Sequence, residues 1–96
     1  MSALVTGAGT GIGAATARAL ASEGHAVAVT DVDLAAAERV AGDIAGAVAL
    51  ELDVTSRSSI QAAIDSAADA LGALEVWVSC AGVSTMAPFI EVTDAE

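Results

Sequence analysis

Apolar residues along this chain follow two alternating patterns: short unbroken runs, and longer stretches in which they return every three or four positions. Met1 to Val5 reads as a buried strand, followed by Ala26 to Thr30, Ala47 to Leu52 and Leu74 to Val78. The intervening stretches predict helices from Ala14 to Leu20, from Leu34 to about Ile44, and from a cap at Thr55 or Ser56 to about Leu71. In the last of these, Ile60, Ala63, Ile64, Ala67 and Leu71 share one face. Gly24 and Gly72 stand where helix-ending glycines belong, and Asp33 occupies the N-cap place of the second helix. Strands alternating with helices make βαβ units, hence an α/β fold with a parallel sheet and right-handed crossovers.

Beyond Gly82 the pattern stops, because Val83 to Phe89 is neither alternating nor helical in period and reads as a loop. Thr93-Asp94-Ala95-Glu96 then has the form of a capping box, the start of a further helix. The expectation is one domain whose N-terminal part is residues 1–96, cut before its remaining elements. A fourth strand without a covering helix predicts poor independent stability, or a partner.

Thr6-Gly7-Ala8-Gly9-Thr10-Gly11-Ile12-Gly13 lies between the first strand and first helix, which is the setting of a phosphate-binding turn. Free N–H groups and the positive dipole end of that helix can hold a diphosphate without a basic side chain. Composition is that of a close-packed α/β domain and not of a disordered chain: 55% of the residues are hydrophobic, with alanine and valine dominant. Net charge is −10, with Arg18, Arg39 and Arg57 the only bases, which argues against nucleic acid or an anionic membrane as partner. Apolar runs are too short for a membrane span, and the N-terminus lacks the basic region of a secretory signal. Cys80 is the single cysteine, so no internal disulfide is possible, and a reducing cytoplasm is the expected location.

In a doubly wound sheet of order 3-2-1-4 the ligand crosses the carboxyl ends of the strands, between strands one and four. Those ends carry the glycine turn, Asp31, Asp53 and Ser79-Cys80-Ala81-Gly82. Asp31 follows Gly13 by 18 residues, close to the spacing at which an acid accepts from the adenosine ribose hydroxyls. An acid there repels a 2′-phosphate, and no lysine or nearby arginine stands ready to neutralise one, so NAD is favoured over NADP. Two other readings stay open: Asp31 as a turn or capping acid, and Asp33 as its rival at the ribose.

Taken together, these residues resemble the short-chain dehydrogenase/reductase family. Its motif T-G-x-x-x-G-I-G is matched in full by Thr6 to Gly13, its post-strand D-V pair looks like Asp53-Val54, and its N-N-A-G motif is matched only as Ser79-Cys80-Ala81-Gly82. The resemblance runs from about Ala3 to the end and implies a Rossmann-type doubly wound sheet, order 3-2-1-4 with three helices. It implies that Gly7, Thr10, Gly11, Ile12 and Gly13 line the diphosphate and adenosine ribose. Asp31 would hold the ribose, Asp53 and Val54 the adenine, and Ala81 and Gly82 the nicotinamide-side ribose. It further implies hydride transfer between NAD and an alcohol or carbonyl substrate, in an enzyme that is a homo-oligomer at full length.

Two departures qualify this. Both asparagines of the last motif are replaced, and Cys80 is at best a weak donor where the family has an amide. The family's catalytic Ser, Tyr, Lys and assisting Asn lie downstream, and the chain contains no Tyr, Lys or Asn, so no catalytic residue is assigned within it. Cys80 has no base placed to activate it and reads as a small buried apolar group. His25 falls at the opposite edge from the ligand, Trp77 reads as core, and no cluster of metal-ligating residues is visible. Ser84, Thr85, Met86 and Phe89 could border a substrate or simply pack over the sheet end. An S-adenosylmethionine-dependent methyltransferase is a second reading, although the acid usual before its first glycine is here Thr6. A P-loop nucleotidase lacks its lysine. A dinucleotide-binding module without chemistry is the third.

Overall fold

A computed structural model describes residues 2–80 of the chain. Its elements run β1 (Ser2–Thr6), α1 (Gly11–Ser22), β2 (Ala26–Asp31), α2 (Leu34–Gly42), β3 (Val48–Glu51), α3 (Arg57–Leu71) and β4 (Val76–Ser79). All pairings are parallel, and the sheet order is β3-β2-β1-β4, as the βαβ pattern and the resemblance both lead one to expect. Ala81, Gly82, the Val83 to Phe89 loop and the capping box at Thr93 lie outside the described residues.

Side-chain alternation divides the sheet into two faces. Val5, Val27 and Val29 point to the face covered by α1 and α2, where they meet Ala14, Ala17, Ala37, Val40 and Ile44. Leu4 and Ala28 point the other way and pack with Ala63 and Ala67 of α3, flanked by Ile60, Leu71 and Trp77. Register keeps each layer in line: Leu4 stands opposite Ala28 and Trp77, and Val5 opposite Val29 and Val78. Small residues on the helices let them lie close on a sheet of branched side chains. Trp77 is half-buried against the α3 layer, which is the core role expected of it.

Caps set the helix boundaries. Asp33 accepts from the Ala36 N–H, and Ser56, rather than Thr55, accepts from the Ser59 N–H. Gly72 closes α3 at a φ of 86°. Several boundaries differ from the periodic reading by a residue or more, and three of them have a visible cause. Helix α1 opens at Gly11 instead of Ala14, because its first turn is part of the glycine turn and carries no apolar stripe. Helix α2 ends at Gly42, with Asp43 as its C-cap, although Ile44 still reaches the core. Strand β4 begins at Val76 instead of Leu74, because Glu75 donates to the Ser2 carbonyl and Ser2 bonds the Ala73 carbonyl, which makes residues 73–75 an anchor below the ladder.

Leu4 is fully buried at the centre of the α3 layer. Leu4→Ala in the full-length protein is expected to lower its unfolding free energy by about 2–5 kcal/mol, read from urea denaturation.

Candidate functional site

Parallel pairing brings the carboxyl ends of all four strands to one edge of the sheet. Strand β1 passes into Gly7 at a φ of 63°, and the turn leaves through Gly11 at 60°. Both values lie in the left-handed region. A Cβ placed on Gly13 would stand 2.1 Å from the Gly7 carbonyl oxygen, so α1 reaches the strand end only because residue 13 has no side chain. Thr10 holds the N-cap with an extended backbone and makes no side-chain capping bond. The first N–H to find a partner is that of Ala14, which donates to the Thr10 carbonyl at 3.3 Å. Among the described residues the N–H groups of Gly11, Ile12 and Gly13 find no partner, and they stand at the positive end of the helix, which carries about half a unit charge. A Cβ on Gly11 would meet nothing within 4 Å, so there is room beside these donors. Ile12 is 80% exposed and gives this edge an apolar flank.

Thr6, buried at the end of β1, accepts the Cys80 N–H on its hydroxyl at 3.0 Å. That bond ties the turn to the end of β4 through backbone, so it survives the replacement of both family asparagines by Ser79 and Cys80. Cys80 is half-buried and packs against the α1–α2 layer, as a small apolar group does. On the other side, the Ala8 N–H donates to the Thr30 carbonyl at 2.8 Å, and the Thr30 hydroxyl donates to the Val5 carbonyl at 2.8 Å. The turn is thus pinned to both neighbouring strands.

Asp31 stands against the turn. Its Oδ2 accepts the Gly9 N–H at 2.9 Å and its Oδ1 accepts the Asp33 N–H at 3.0 Å. Asp31 is therefore a turn acid and, by position, a strand-end acid at once. Of the sequence-based alternatives, these bonds show the turn acid. Asp33, its rival, is committed to capping α2. Val32, next in the chain, is 64% exposed.

Asp53 follows Leu52, whose N–H donates to the Asp31 carbonyl at 3.0 Å and so ties the end of β3 to the end of β2. Its own N–H donates to the Ser59 hydroxyl at 2.9 Å. Its Oδ1 accepts from the Thr55 hydroxyl and the Thr55 N–H, at 2.6 and 2.9 Å. The Thr55 hydroxyl, and after it the Thr55 N–H, hold the Asp53 carboxyl below its ordinary value of 3.8 against a smaller opposing effect of burial. Val54, alongside, is 39% exposed. Gly7, Thr10, Gly11, Ile12, Gly13, Asp31, Asp53 and Val54 thus share one edge, while Ala81 and Gly82 fall outside the described residues. Sequence reading missed Thr55 and Ser59 as supports of Asp53. The Asp-x-Thr spacing of an Asx turn, read together with the Ser56 cap, is the signal that could have found the first of them.

Because the folded carboxyl is the more acidic one, whatever stability Asp53 contributes is present above pH 3.8 and is lost as pH falls through its lower folded value. A carbon-detected titration of the Asp53 carboxyl should place its midpoint below 3.8. Thr55→Val, which removes the hydroxyl donor and keeps the N–H, should move that midpoint upward.

Comparison with known proteins places these features in company. A family model described as short chain dehydrogenase matches residues 1–96. Sorbitol dehydrogenase of Cereibacter sphaeroides is 39% identical, over 95% of this chain and 36% of its own length. A 3-ketoacyl-(acyl-carrier-protein) reductase from Brucella melitensis, solved in complex with NADH, superposes with a TM-score of 0.77 at 38% identity, covering 79% of this chain and 32% of that one. A protein from Brucella melitensis described as ribose-5-phosphate isomerase superposes at 0.78 with 45% identity, covering 85% of this chain and 32% of its own. The chain therefore spans about a third of each of these proteins. The shared part is the strand-end edge and its sheet, which is common ground for relatives whose names denote different reactions.

Proposed function

This chain belongs to the short-chain dehydrogenase family, and we propose that it forms the NAD-binding portion of an oxidoreductase that acts on a small alcohol or ketone. One observation carries this reading: the open N–H groups of α1 and the anchored carboxylate of Asp31 face the same strand-end edge, with no side chain at Gly13 to hold them apart. Gly7, Thr10, Gly11, Ile12 and Gly13 line the diphosphate and the adenosine ribose. Asp31 accepts from the ribose hydroxyls, and Asp53 and Val54 meet the adenine. Ala81 and Gly82 would serve the nicotinamide-side ribose. The bound nicotinamide supplies or takes up hydride at the substrate's carbinol or carbonyl carbon. Residues 1–96 contribute binding and orientation, since they hold no Tyr or Lys for the family's proton transfer.

The preference for NAD over NADP follows from charge. A 2′-phosphate at the adenosine ribose would stand beside an Asp31 carboxylate whose two oxygens are each held by a backbone N–H, so the acid cannot easily swing aside. The chain has no lysine to offset the repulsion. A single Rossmann domain spanning residues 1–96 as its N-terminal part, a cytoplasmic location and a homo-oligomeric full-length enzyme complete the proposal. Nucleic acid and membrane are not among its partners: the net charge is −10, and among the described residues no helix is long and apolar enough to cross a membrane. A binding module without chemistry is the second reading, favoured by the absence of Tyr and Lys from these residues. The methyltransferase reading finds no support at Thr6, which is buried and bonded to Cys80 where an acid would be needed.

Calorimetric titration of the full-length protein with NADH, NADPH and S-adenosylmethionine tests this directly. NADH should bind at least about tenfold more tightly than NADPH, and Asp31→Ala should weaken NADH by about 10- to 100-fold, the worth of hydrogen bonds to a charged acceptor. Tighter binding of NADPH would refute the role of Asp31, and binding of S-adenosylmethionine alone would refute the whole reading. Turnover of a polyol or hydroxy-ketone with NAD, abolished with the cofactor withheld, separates the enzyme from the bare binding module.

A further inference from the structure

Gly9 lies at a variable place of the family motif, and its φ is outside the left-handed region that Gly7 and Gly11 occupy. Neither the motif nor backbone conformation requires glycine here. Space does. A Cβ on Gly9 would stand 2.7 Å from the Ala36 Cβ, 2.9 Å from Asp31 Oδ2 and 3.2 Å from the Ala36 carbonyl carbon. At the same residue, the N–H donates to Asp31 Oδ2 at 2.9 Å. Both contacts reach the start of α2, because Asp31 Oδ1 takes the Asp33 N–H and Asp33 Oδ1 takes the Ala36 N–H at 3.2 Å.

We infer that Gly9, Asp31 and Ala36 form a latch that sets the position of the Asp31 carboxylate and so tunes the choice between a ribose 2′-hydroxyl and a 2′-phosphate. This rests on the proposed dinucleotide site and adds Gly9 and Ala36 to it as positioning residues; neither is assigned a contact with the ligand. The closed chain of bonds runs from the glycine turn to the acid, from the acid to the α2 cap, and from the α2 cap to Ala36, which lies on Gly9 again. Held in this way, the carboxylate keeps one oxygen on the turn and presents its remaining lone pairs to the edge. A side chain at residue 9 must push α2 outward or rotate the carboxylate away, since the obstacles are the methyl and backbone of a helix residue and the carboxylate end of the acid itself. Released, the acid relaxes toward solvent, where it holds a ribose hydroxyl less well and repels a 2′-phosphate less strongly.

The full-length protein provides the test through binding of NAD and NADP, thermal unfolding, and amide hydrogen exchange of the unliganded form. Gly9→Ala should weaken NAD about tenfold or more while NADP changes much less, so the preference narrows. Adding Ala36→Gly removes the nearest obstacle and should restore a large part of both affinity and preference. Should Gly9→Ala unfold the protein, exchange in the folded Asp31→Ala variant decides the matter: the Gly9 amide should exchange about tenfold or more faster than in wild type. Unchanged NAD/NADP preference in folded Gly9→Ala, or an unchanged Gly9 exchange rate in Asp31→Ala, would overturn the latch. If wild type bound neither dinucleotide, the proposed function would fall instead, and the exchange rates would still judge the latch.

Discussion

The contact between the first turn of α1 and the end of β1 is the constraint on which the rest of the site depends. With a Cβ at residue 13 only 2.1 Å from the Gly7 carbonyl oxygen, any side chain there would lift the helix off the strand. The helix would then withdraw the N–H groups of Gly11, Ile12 and Gly13 from the edge where the other strands end. Basic side chains offer little replacement: Arg18 pairs with Asp43, Arg39 is in the last turn of α2, and Arg57 opens α3 after β3, the edge strand two places from β1. In the proposed function, anion binding is thus a matter of backbone placement, and so of packing.

Around that contact the turn is fastened by three bonds. Thr6 binds the backbone of Cys80, Ala8 binds the backbone of Thr30, and Gly9 binds the carboxylate of Asp31. The first joins the turn to the end of β4 and the other two join it to β2, so the sheet itself is the template. A turn built from four glycines would otherwise carry a large ordering entropy. The network lowers that cost before a ligand arrives, which is how preorganisation turns a flexible sequence into a specific site.

Much of this was legible in the sequence. Valine-rich runs and glycine punctuation gave each strand to within about two residues, the cap at Asp33 was readable from residue type and place, and the cap of α3 was narrowed to Thr55 or Ser56. Strand-end positions of the glycine turn, Asp31 and Asp53 followed from topology alone. Less legible were features set by contact across the fold. The start of α1 at Gly11 has no apolar stripe to betray it, and the start of β4 depends on bonds from residues 73–75 to Ser2. Gly9 looks like any variable motif position until α2 is seen lying on it. Asp31 showed the same limit: spacing placed it at the ribose or in a turn, and only three dimensions show that its carboxylate holds the backbone of Gly9 and of Asp33.

The central claim is that backbone N–H groups at the start of α1, together with Asp31, receive an NAD molecule across the strand ends. Amide chemical shifts of the isotope-labelled full-length protein, followed during titration with NAD, test it most directly. The account predicts that the amides of Gly11, Ile12 and Gly13 move together, along with Gly9 and Val54, and saturate at one equivalent. Saturable shifts confined to the opposite edge, around His25 and residues 73–75, or no shifts at all, would contradict it.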